Sequence, residues 1–489
     1  MAAGHLVASL LNPSASPVLA VGSTVIDLTP TPLKEYAVRE FGTADKAVLL
    51  SSVIGVTLLL AALAGVIARR SFLLAAALLL GLVAVAGAMA MLRPVAEGVD
   101  LLPAVAAAVV GLSVLWWAVR ALGAPASKPR ILLGDHAPSR RGVLIGSGVV
   151  AALSVAAAVG GQAIIKARTA IGNIKLPMAA KPLPPLPEGV DASYGGISSF
   201  ITPNSKFYRV DTNLTLPVIP LDDWRLTIDG DVGEKLSLSF DELLDLPMIE
   251  RDITLTCVSN EVGGKYVGAA RWLGVPLKDL FAMAGGVGDE ADQILSTATD
   301  GFTISTPLAV ALDGRDAMVA VGMNGEPLPA EHGFPARLIT PGLYGFVGAT
   351  KWLSKLTLTT YAEKQAYWTK RDWATDAPIK VSARIDTPKP LDTIGSGKTV
   401  IGGVAWAQHR GVGKVEVRID GGAWQEARLG PDAGVDYWRQ WYLPWEATEG
   451  RHMLAVRATT MDGEVQTAAR TSPFPAGSSG IQETVVSVR

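Results

Sequence analysis

Ile253-Thr254-Leu255-Thr256-Cys257-Val258-Ser259-Asn260-Glu261-Val262-Gly263-Gly264 runs from an apolar strand into a polar, glycine-containing loop, with the only cysteine of the chain at the junction. Strand ends that open into loops are where sites are built, because a rigid element there presents side chains to open space. Three readings of Cys257 compete. It can be a small buried hydrophobe, a thiolate nucleophile or a soft ligand to a transition metal. Nucleophilic use needs a histidine base close by, and of the five histidines, at 5, 136, 332, 409 and 452, only His332 is a candidate. One cysteine in 489 residues excludes an intramolecular disulfide framework and any multi-cysteine zinc or iron–sulfur site.

Outward from this segment, short apolar runs with strand composition (Trp224–Ile228, Ile253–Cys257, Ala317–Val321, Ala336–Ile339) alternate with helical patterns at Phe240–Leu246 and Leu277–Ala284. Residues 191–377 therefore read as a mixed α+β domain. From 378 to 489 the pattern becomes all-β. Thr399–Trp406, Lys414–Ile419, Trp438–Pro444 and His452–Thr459 alternate apolar and polar residues, with turn signals at Asp420-Gly421-Gly422 and Asp462-Gly463. A β-sandwich resembling an immunoglobulin-type domain is expected there. Residues 171–190 form a linker whose Pro-rich part, from Met178 to Val190, is expected to be extended and stiff, a spacer between membrane and domain.

Before residue 170 the composition is different. Nearly half of the chain is hydrophobic, 49%, and the excess sits in this N-terminal part. Four stretches, 48–68, 71–92, 101–119 and 142–165, reach the roughly 20 apolar residues that a helix needs to cross a bilayer. A fifth, 5–28, contains Asn12, Pro13 and Pro17 and reads as a kinked span, a re-entrant segment or a surface piece. Arg69 and Arg70, and later Arg120, Lys128, Arg130, Arg140 and Arg141, put their loops in the cytoplasm, so the last span delivers everything after residue 166 to the outside. Ser139-Arg140-Arg141-Gly142-Val143-Leu144 resembles a twin-arginine export motif, and the same arginines also serve as an ordinary positive-inside pair. With no histidine inside the four clear spans, a membrane cytochrome is disfavoured. The formal net charge is −2 without a basic stripe, which excludes nucleic acid as a partner.

Several ordered elements carry a resemblance. Cys257-Val258-Ser259-Asn260 is followed by Ala270-Arg271-Trp272-Leu273-Gly274-Val275-Pro276-Leu277, then by Met323-Asn324-Gly325-Glu326-Pro327-Leu328-Pro329 and His332-Gly333-Phe334-Pro335-Ala336-Arg337-Leu338. Pro341-Gly342 and Lys351-Trp352-Leu353 close the run. Residues 190–489 thereby resemble the sulfite oxidase family of molybdopterin enzymes, the last part through Gly402–Trp406, Val415–Val417, Asp420–Gly422, Trp424, Trp441 and Trp445. The resemblance implies that Cys257 gives its thiolate to molybdenum and that the pyranopterin is held by His332, Arg337 and the Ala349-Thr350-Lys351 turn. By the same resemblance Tyr208, Arg209, Asn260, Thr299 and Asp300 contribute to the cofactor site. A phosphate-bearing, heteroatom-rich ring system calls for such a guanidinium, ammonium and exposed backbone groups. Dimerisation through the C-terminal domain is implied too, although such a domain can also be retained in a monomer.

The chain departs from the family where sulfite is bound. Sulfite-oxidising members surround the metal with arginines and a tyrosine. Here the Arg-Asn-His segment reads Val210-Asp211-Thr212-Asn213, Val262 stands two positions after Asn260, and Trp373 follows Arg371-Asp372 in place of the tyrosine, which makes Trp373 a candidate at the reacting centre. A doubly charged anion needs compensation when desolvated, so the loss of cations weakens the case for sulfite. The expected activity is two-electron oxygen-atom transfer on a small oxo-anion, nominally sulfite, at a molybdenum–molybdopterin cofactor. Reduction of an S- or N-oxide is the alternative. Neither haem nor an iron–sulfur cluster is expected in this chain, so electrons would pass through a separate carrier, a cytochrome or the quinone system. A non-catalytic membrane protein whose outer domains bind a partner is the remaining reading, but it would not need the run 323–353 beside a strand-end cysteine.

Overall fold

The computed structural model describes residues 1–41, 44–122, 140–172 and 174–489. The chain divides into two compact units, Met1–Ala170 with Asp211–Val218, and Ile171–Val210 with Ile219–Arg489.

The first unit is helical: α1 Ala2–Leu10, α2 Pro17–Leu28, α3 Thr31–Phe41, α4 Asp45–Ala68, α5 Phe72–Met91, α6 Leu102–Leu122 and α7 Arg140–Arg168. Among the described residues four helical segments are long and apolar enough to cross a membrane: Asp45–Ala68, Phe72–Met91, Gly98–Ala121 and Arg141–Arg168. They coincide with the four expected spans to within a few residues, because an uninterrupted apolar run has nowhere to hide its backbone except in a helix. The stretch 5–28 is a broken helix. Pro13 and Pro17 cannot continue α1, and a short 3₁₀ turn, Pro13–Ala15, with Asn12 as its cap separates α1 from α2. Arg168 Nη1 donates to the Ser9 carbonyl at 2.6 Å and the Leu11 carbonyl at 3.2 Å, satisfying acceptors that the break leaves open. Ser139 of the twin-arginine stretch, together with Lys128, Arg130 and His136, lies outside the described residues.

The second unit begins with β1 Arg225–Gly230, β2 Leu236–Ser239, β3 Ile249–Thr256, β4 Val267–Pro276, β5 Gln293–Ala298, β6 Thr303–Pro307, β7 Met318–Met323, β8 Glu326–Pro327, β9 Arg337–Ile339 and β10 Leu353–Thr359. One sheet has the order β2-β1-β10-β5-β6, with β1 parallel to β10. The other has the order β3-β4-β7-β8, with β9 also on β7. Leu226, Ile228, Leu356 and Leu358 of the first sheet share a core with Val275, Val319, Val321 and Leu338 of the second. The opposite face of the second sheet is covered as well, with Ile253, Leu255, Trp272, Met318 and Ile339 packed under Phe207. Burial on both faces explains why β7 reads as an unbroken apolar run and not as an alternation. The short helix Phe240–Leu244 starts at a capping box in which Ser239 and Glu242 satisfy each other's backbone.

The Pro-rich stretch is extended, as its composition requires, and it is tied down along the edge of β3. Ala180 N donates to the Met248 carbonyl and Leu183 N to Glu250, while Arg271 Nη2 donates to the Pro184 carbonyl.

The remaining strands are β11 Ser382–Thr387, β12 Thr393–Ile394, β13 Gly397–Trp406, β14 Val412–Ile419, β15 Gln425–Glu426, β16 Arg428–Leu429, β17 Arg439–Ala447, β18 Gly450–Thr460 and β19 Gln482–Val488. They form the sheets β11-β13-β17-β16 and β12-β19-β18-β14-β15. Ile401, Trp441 and Leu443 of one sheet meet Val415, Val417, Leu454 and Val456 of the other in a single core. Asp420 and Gly421 both have positive φ, the turn chemistry anticipated for the loop after β14.

Candidate active site

The β3–β4 hairpin positions the cysteine. Its register ends at Thr256 opposite Val267, so Cys257 is the first residue beyond the ladder, and Cys257 N donates to the Tyr266 carbonyl across the loop. Asn260 braces that loop, its Oδ1 accepting from Tyr266 N at 2.8 Å. Cys257 is buried, and burial pushes its thiol up, against hydrogen bonding from Ser259 and the nearby charge of Lys351. Burial alone keeps the thiol protonated, so a thiolate here calls for a bound cation, and the soft sulfur at a strand end suits a transition metal.

Arg337 and His332 lie in the turn that enters β9. Both are buried, and Arg337 Nη1 donates to the His332 carbonyl at 2.9 Å. Gly333, at φ +114, permits this turn to press on the next segment. A Cβ there would stand 3.1 Å from Lys351 Cα and 3.1 Å from Arg337 Cβ. Arg337 also lies 5.1 Å from the centroid of the Trp272 ring. Burial brings its pKa down to about 10, so it keeps its charge at neutral pH. His332 Nε2 is 2.9 Å from the Asn204 carbonyl, and burial, helped by Arg337, brings its pKa down to about 4. The imidazole is thus neutral, with Nε2 as the donor to that carbonyl. Tyr208, half-buried and stacked on Phe207, completes this side. Burial and the Cys257 sulfur push its phenol up while Arg337 draws it down, which puts all three groups in one neighbourhood.

Lys351 Nζ donates to the Glu331 carbonyl and lies 4.6 Å from the Trp352 ring centroid. Thr299 N donates to the Trp352 carbonyl, which brings the β5–β6 loop to the same turn. Cys257, Tyr208, His332, Arg337 and Lys351 are therefore assembled by direct contact or mutual charge, with Thr299 next to them. The other expected residues make contacts of their own. Thr350 turns its hydroxyl to Ser296 at 2.5 Å, Asp300 caps its own loop by accepting from Phe302 N, and Arg209 is exposed beyond Tyr208. Ala349 contributes its carbonyl, 3.5 Å from Arg337 Nη2. Trp373 belongs to an aromatic cluster with Phe346, Trp368 and Phe474.

Two residues escaped the sequence. Tyr344 is buried, and burial together with Cys257 raises its phenol to about 12. It stands two positions after Pro341-Gly342, so its place in the element is the signal that could have found it. Asn204 holds His332 through its backbone, and backbone roles leave no trace in residue type.

Polar atoms left over define what the cradle needs. Among the described residues, the buried Arg337 Nε and Thr299 Oγ1 have no hydrogen-bond partner, and the Arg337 guanidinium donates to backbone carbonyls and to no carboxylate. A buried cation without a counter-ion is costly unless an anion arrives. A phosphate-bearing cofactor with ring donors and acceptors fits that demand, and a strand-end thiolate fits its metal.

A fold and site of this kind define a molybdopterin-binding oxidoreductase domain. The family described as "Oxidoreductase molybdopterin binding domain" matches residues 213–368. Mitochondrial sulfite oxidase of Homo sapiens is 32% identical over 310 residues, covering 54% of this chain and 56% of that protein. Inducible nitrate reductase [NADH] 2 of Glycine max is 29% identical over 326 residues, covering 53% of this chain and 36% of that protein. Among solved structures, the sulfane dehydrogenase SoxCD from Paracoccus pantotrophus superposes with a TM-score of 0.52 at 26% identity, over 59% of this chain and 83% of that one. The chain spans little more than half the length of the curated sulfite oxidases it matches. Residues 213–368 carry this molybdopterin-binding domain, and the chain is an enzyme similar to the sulfite oxidases.

Proposed function

We propose that the chain is a membrane-anchored molybdenum-cofactor oxidoreductase, nominally a sulfite oxidase, with its catalytic domain on the extracytoplasmic side. The observation that carries this reading is the pairing of a strand-end thiol, Cys257, with the buried and uncompensated Arg337. When bound, the molybdenum cofactor supplies two-electron chemistry coupled to transfer of an oxygen atom. The chain's own residues hold and shield it. Cys257 would ligate the metal, Arg337, His332 and Lys351 would receive the pterin and its phosphate, and Tyr208 and Asn260 would fix the surrounding loop. Oxidation of sulfite with water gives sulfate, two protons and two electrons, and the electrons leave through a separate carrier. Anchoring rests on the four apolar helices, and the outward placement on the basic residues at their ends. The C-terminal sandwich is read as an immunoglobulin-type dimerisation domain, and the twin-arginine stretch as the export signal of a domain that folds around its cofactor before crossing.

Reduction of an S- or N-oxide is the second reading, favoured by a specific feature. Val262, Trp373 and the Val210–Asn213 segment stand where sulfite-oxidising members carry cations and a phenol, so little is left to compensate a dianion.

The test uses the full chain, produced in a host that makes the cofactor, beside its Cys257→Ser variant. About one molybdenum per chain, with an electronic absorption changed or lost in the variant, is the expected result. Rates with sulfite against rates with reduced carrier and S- or N-oxides then separate the two readings. A well-folded wild-type chain free of molybdenum, under conditions that load a control enzyme, would overturn both and promote the partner-binding reading.

A further inference from the structure

We propose that the outer face of the C-terminal domain carries a second anion site, for a tetrahedral oxyanion of the sulfate and phosphate class, built from Arg418, Arg457, Arg470 and Trp424. The face belongs to the sheet β12-β19-β18-β14-β15. One row across its strands reads Arg418, Ala455, Glu483, and the next pairs Glu416 with Arg457. Val417, Leu454, Val456 and Val486 point into the core, so these rows point out. A hollow of about 250 Å³ lies on this face, lined by the three arginines with Trp424, Glu483, Ala468 and Ile481.

The arginines are organised before any ligand arrives. Trp424 takes both inner guanidinium groups on its ring, Arg418 at 4.7 Å and Arg457 at 4.3 Å from the centroid. Arg457 Nε donates to Glu416, Arg418 Nη2 to Glu483, and Arg470 Nη2 to the Ile481 carbonyl. Each guanidinium has five N–H donors, and each makes one of these bonds, so most donors remain for a ligand. Arg418 and Arg457 are ion-paired with Glu483 and Glu416, whereas Arg470 has no carboxylate partner among the described residues, so its guanidinium charge is left for an anion. Planar forks on several sides of a small hollow match the geometry of a tetrahedral oxyanion better than that of a halide. The lining shares no residue with the Cys257 site.

An inorganic oxyanion and a phospholipid headgroup share this chemistry, so the experiment has two arms. The cofactor-loaded full chain in detergent is titrated calorimetrically with sodium sulfate or phosphate at constant ionic strength. It is also floated with vesicles of phosphatidylglycerol or of phosphatidylcholine. Saturable oxyanion binding, weakened about tenfold or more in Arg457→Gln and in Trp424→Leu but not in the remote Lys398→Gln, supports the site and a soluble ligand. Preference for phosphatidylglycerol that the same variants abolish supports the site and assigns it to a headgroup. No saturable binding in either arm, or binding that the variants leave unchanged while they remain folded with full molybdenum content, overturns it.

Discussion

Arg337 donates from Nη1 to the carbonyl of His332 at 2.9 Å, so a buried cation is held by the backbone of its own turn and not by a carboxylate. Its charge is left for a ligand, and its Nε has no partner among the described residues. Replacing it should therefore move two properties in opposite directions. In Arg337→Met the cofactor-free protein should be unchanged or more stable by up to about 2 kcal/mol, because an uncompensated charge is removed. Pterin content after loading should fall by about tenfold or more, since a charge-assisted contact to phosphate is lost. Thermal unfolding of the cofactor-free chain, beside pterin fluorescence of the loaded one, reads both. A large loss of stability with pterin retained would make Arg337 a structural residue.

His332 gives the cofactor-free protein an acid-side instability. Burial holds its folded pKa at about 4, below the ordinary 6.5, so between these values the unfolded chain binds more protons than the folded one. The stability tied to the neutral imidazole is fully present above pH 6.5 and is lost as the pH falls toward 4, by about 3 kcal/mol at most. His332→Gln keeps a donor for the Asn204 carbonyl and cannot titrate. Urea unfolding of both proteins from pH 7 to 4 should show a steeper decline for the wild type, and parallel curves would contradict the assignment.

The long apolar helices and the strand-end cysteine were legible because each rests on a local rule: an apolar run of bilayer length, and a thiol where alternation stops. The run 323–353 was legible as a resemblance, and Arg337, His332 and Lys351 do gather near Cys257. Side-chain direction was not legible. Thr350 lies inside the expected cofactor turn yet faces Ser296, because β10 and β5 are neighbours in the sheet, and pairing between strands over 50 residues apart is not encoded locally. Tyr344 was missed for a related reason. Its environment is completed by Gly477, which is supplied from the far end of the chain.

Gly477 tests that long-range contact. It adopts φ +89, and a Cβ there would stand 2.6 Å from Cζ and Oη of Tyr344. Its neighbour Ser478 donates to the Asn260 carbonyl, so the C-terminal loop is stitched to the cysteine loop. Gly477→Ala should cost about 2 kcal/mol or more from backbone strain and overpacking. It should also lower kcat/KM with molybdenum content preserved. Equal activity at lowered stability would leave the loop a purely structural brace.

Trp373 separates packing from substrate contact. It is 8% exposed, its ring meets Phe346, Trp368 and Phe474 at 5.5, 5.6 and 5.2 Å, and its Nε1 has no acceptor among the described residues. An unpaired buried donor costs about 1–3 kcal/mol, which is recovered when it is deleted. Trp373→Phe keeps an aromatic ring in the cluster but opens a small cavity, so the two effects should offset and leave the stability within about 1 kcal/mol of wild type. If the indole N–H donates to an oxygen of the substrate, kcat/KM should drop by about tenfold to a hundredfold, a loss of 1.4–2.8 kcal/mol in transition-state binding. Steady-state rates with sulfite and with an S-oxide, set beside unfolding midpoints, decide the matter. Destabilisation of several kcal/mol with unchanged rates on both substrates would assign Trp373 to packing alone, and the donor at the reacting centre would then have to be sought in Tyr344 or Tyr208.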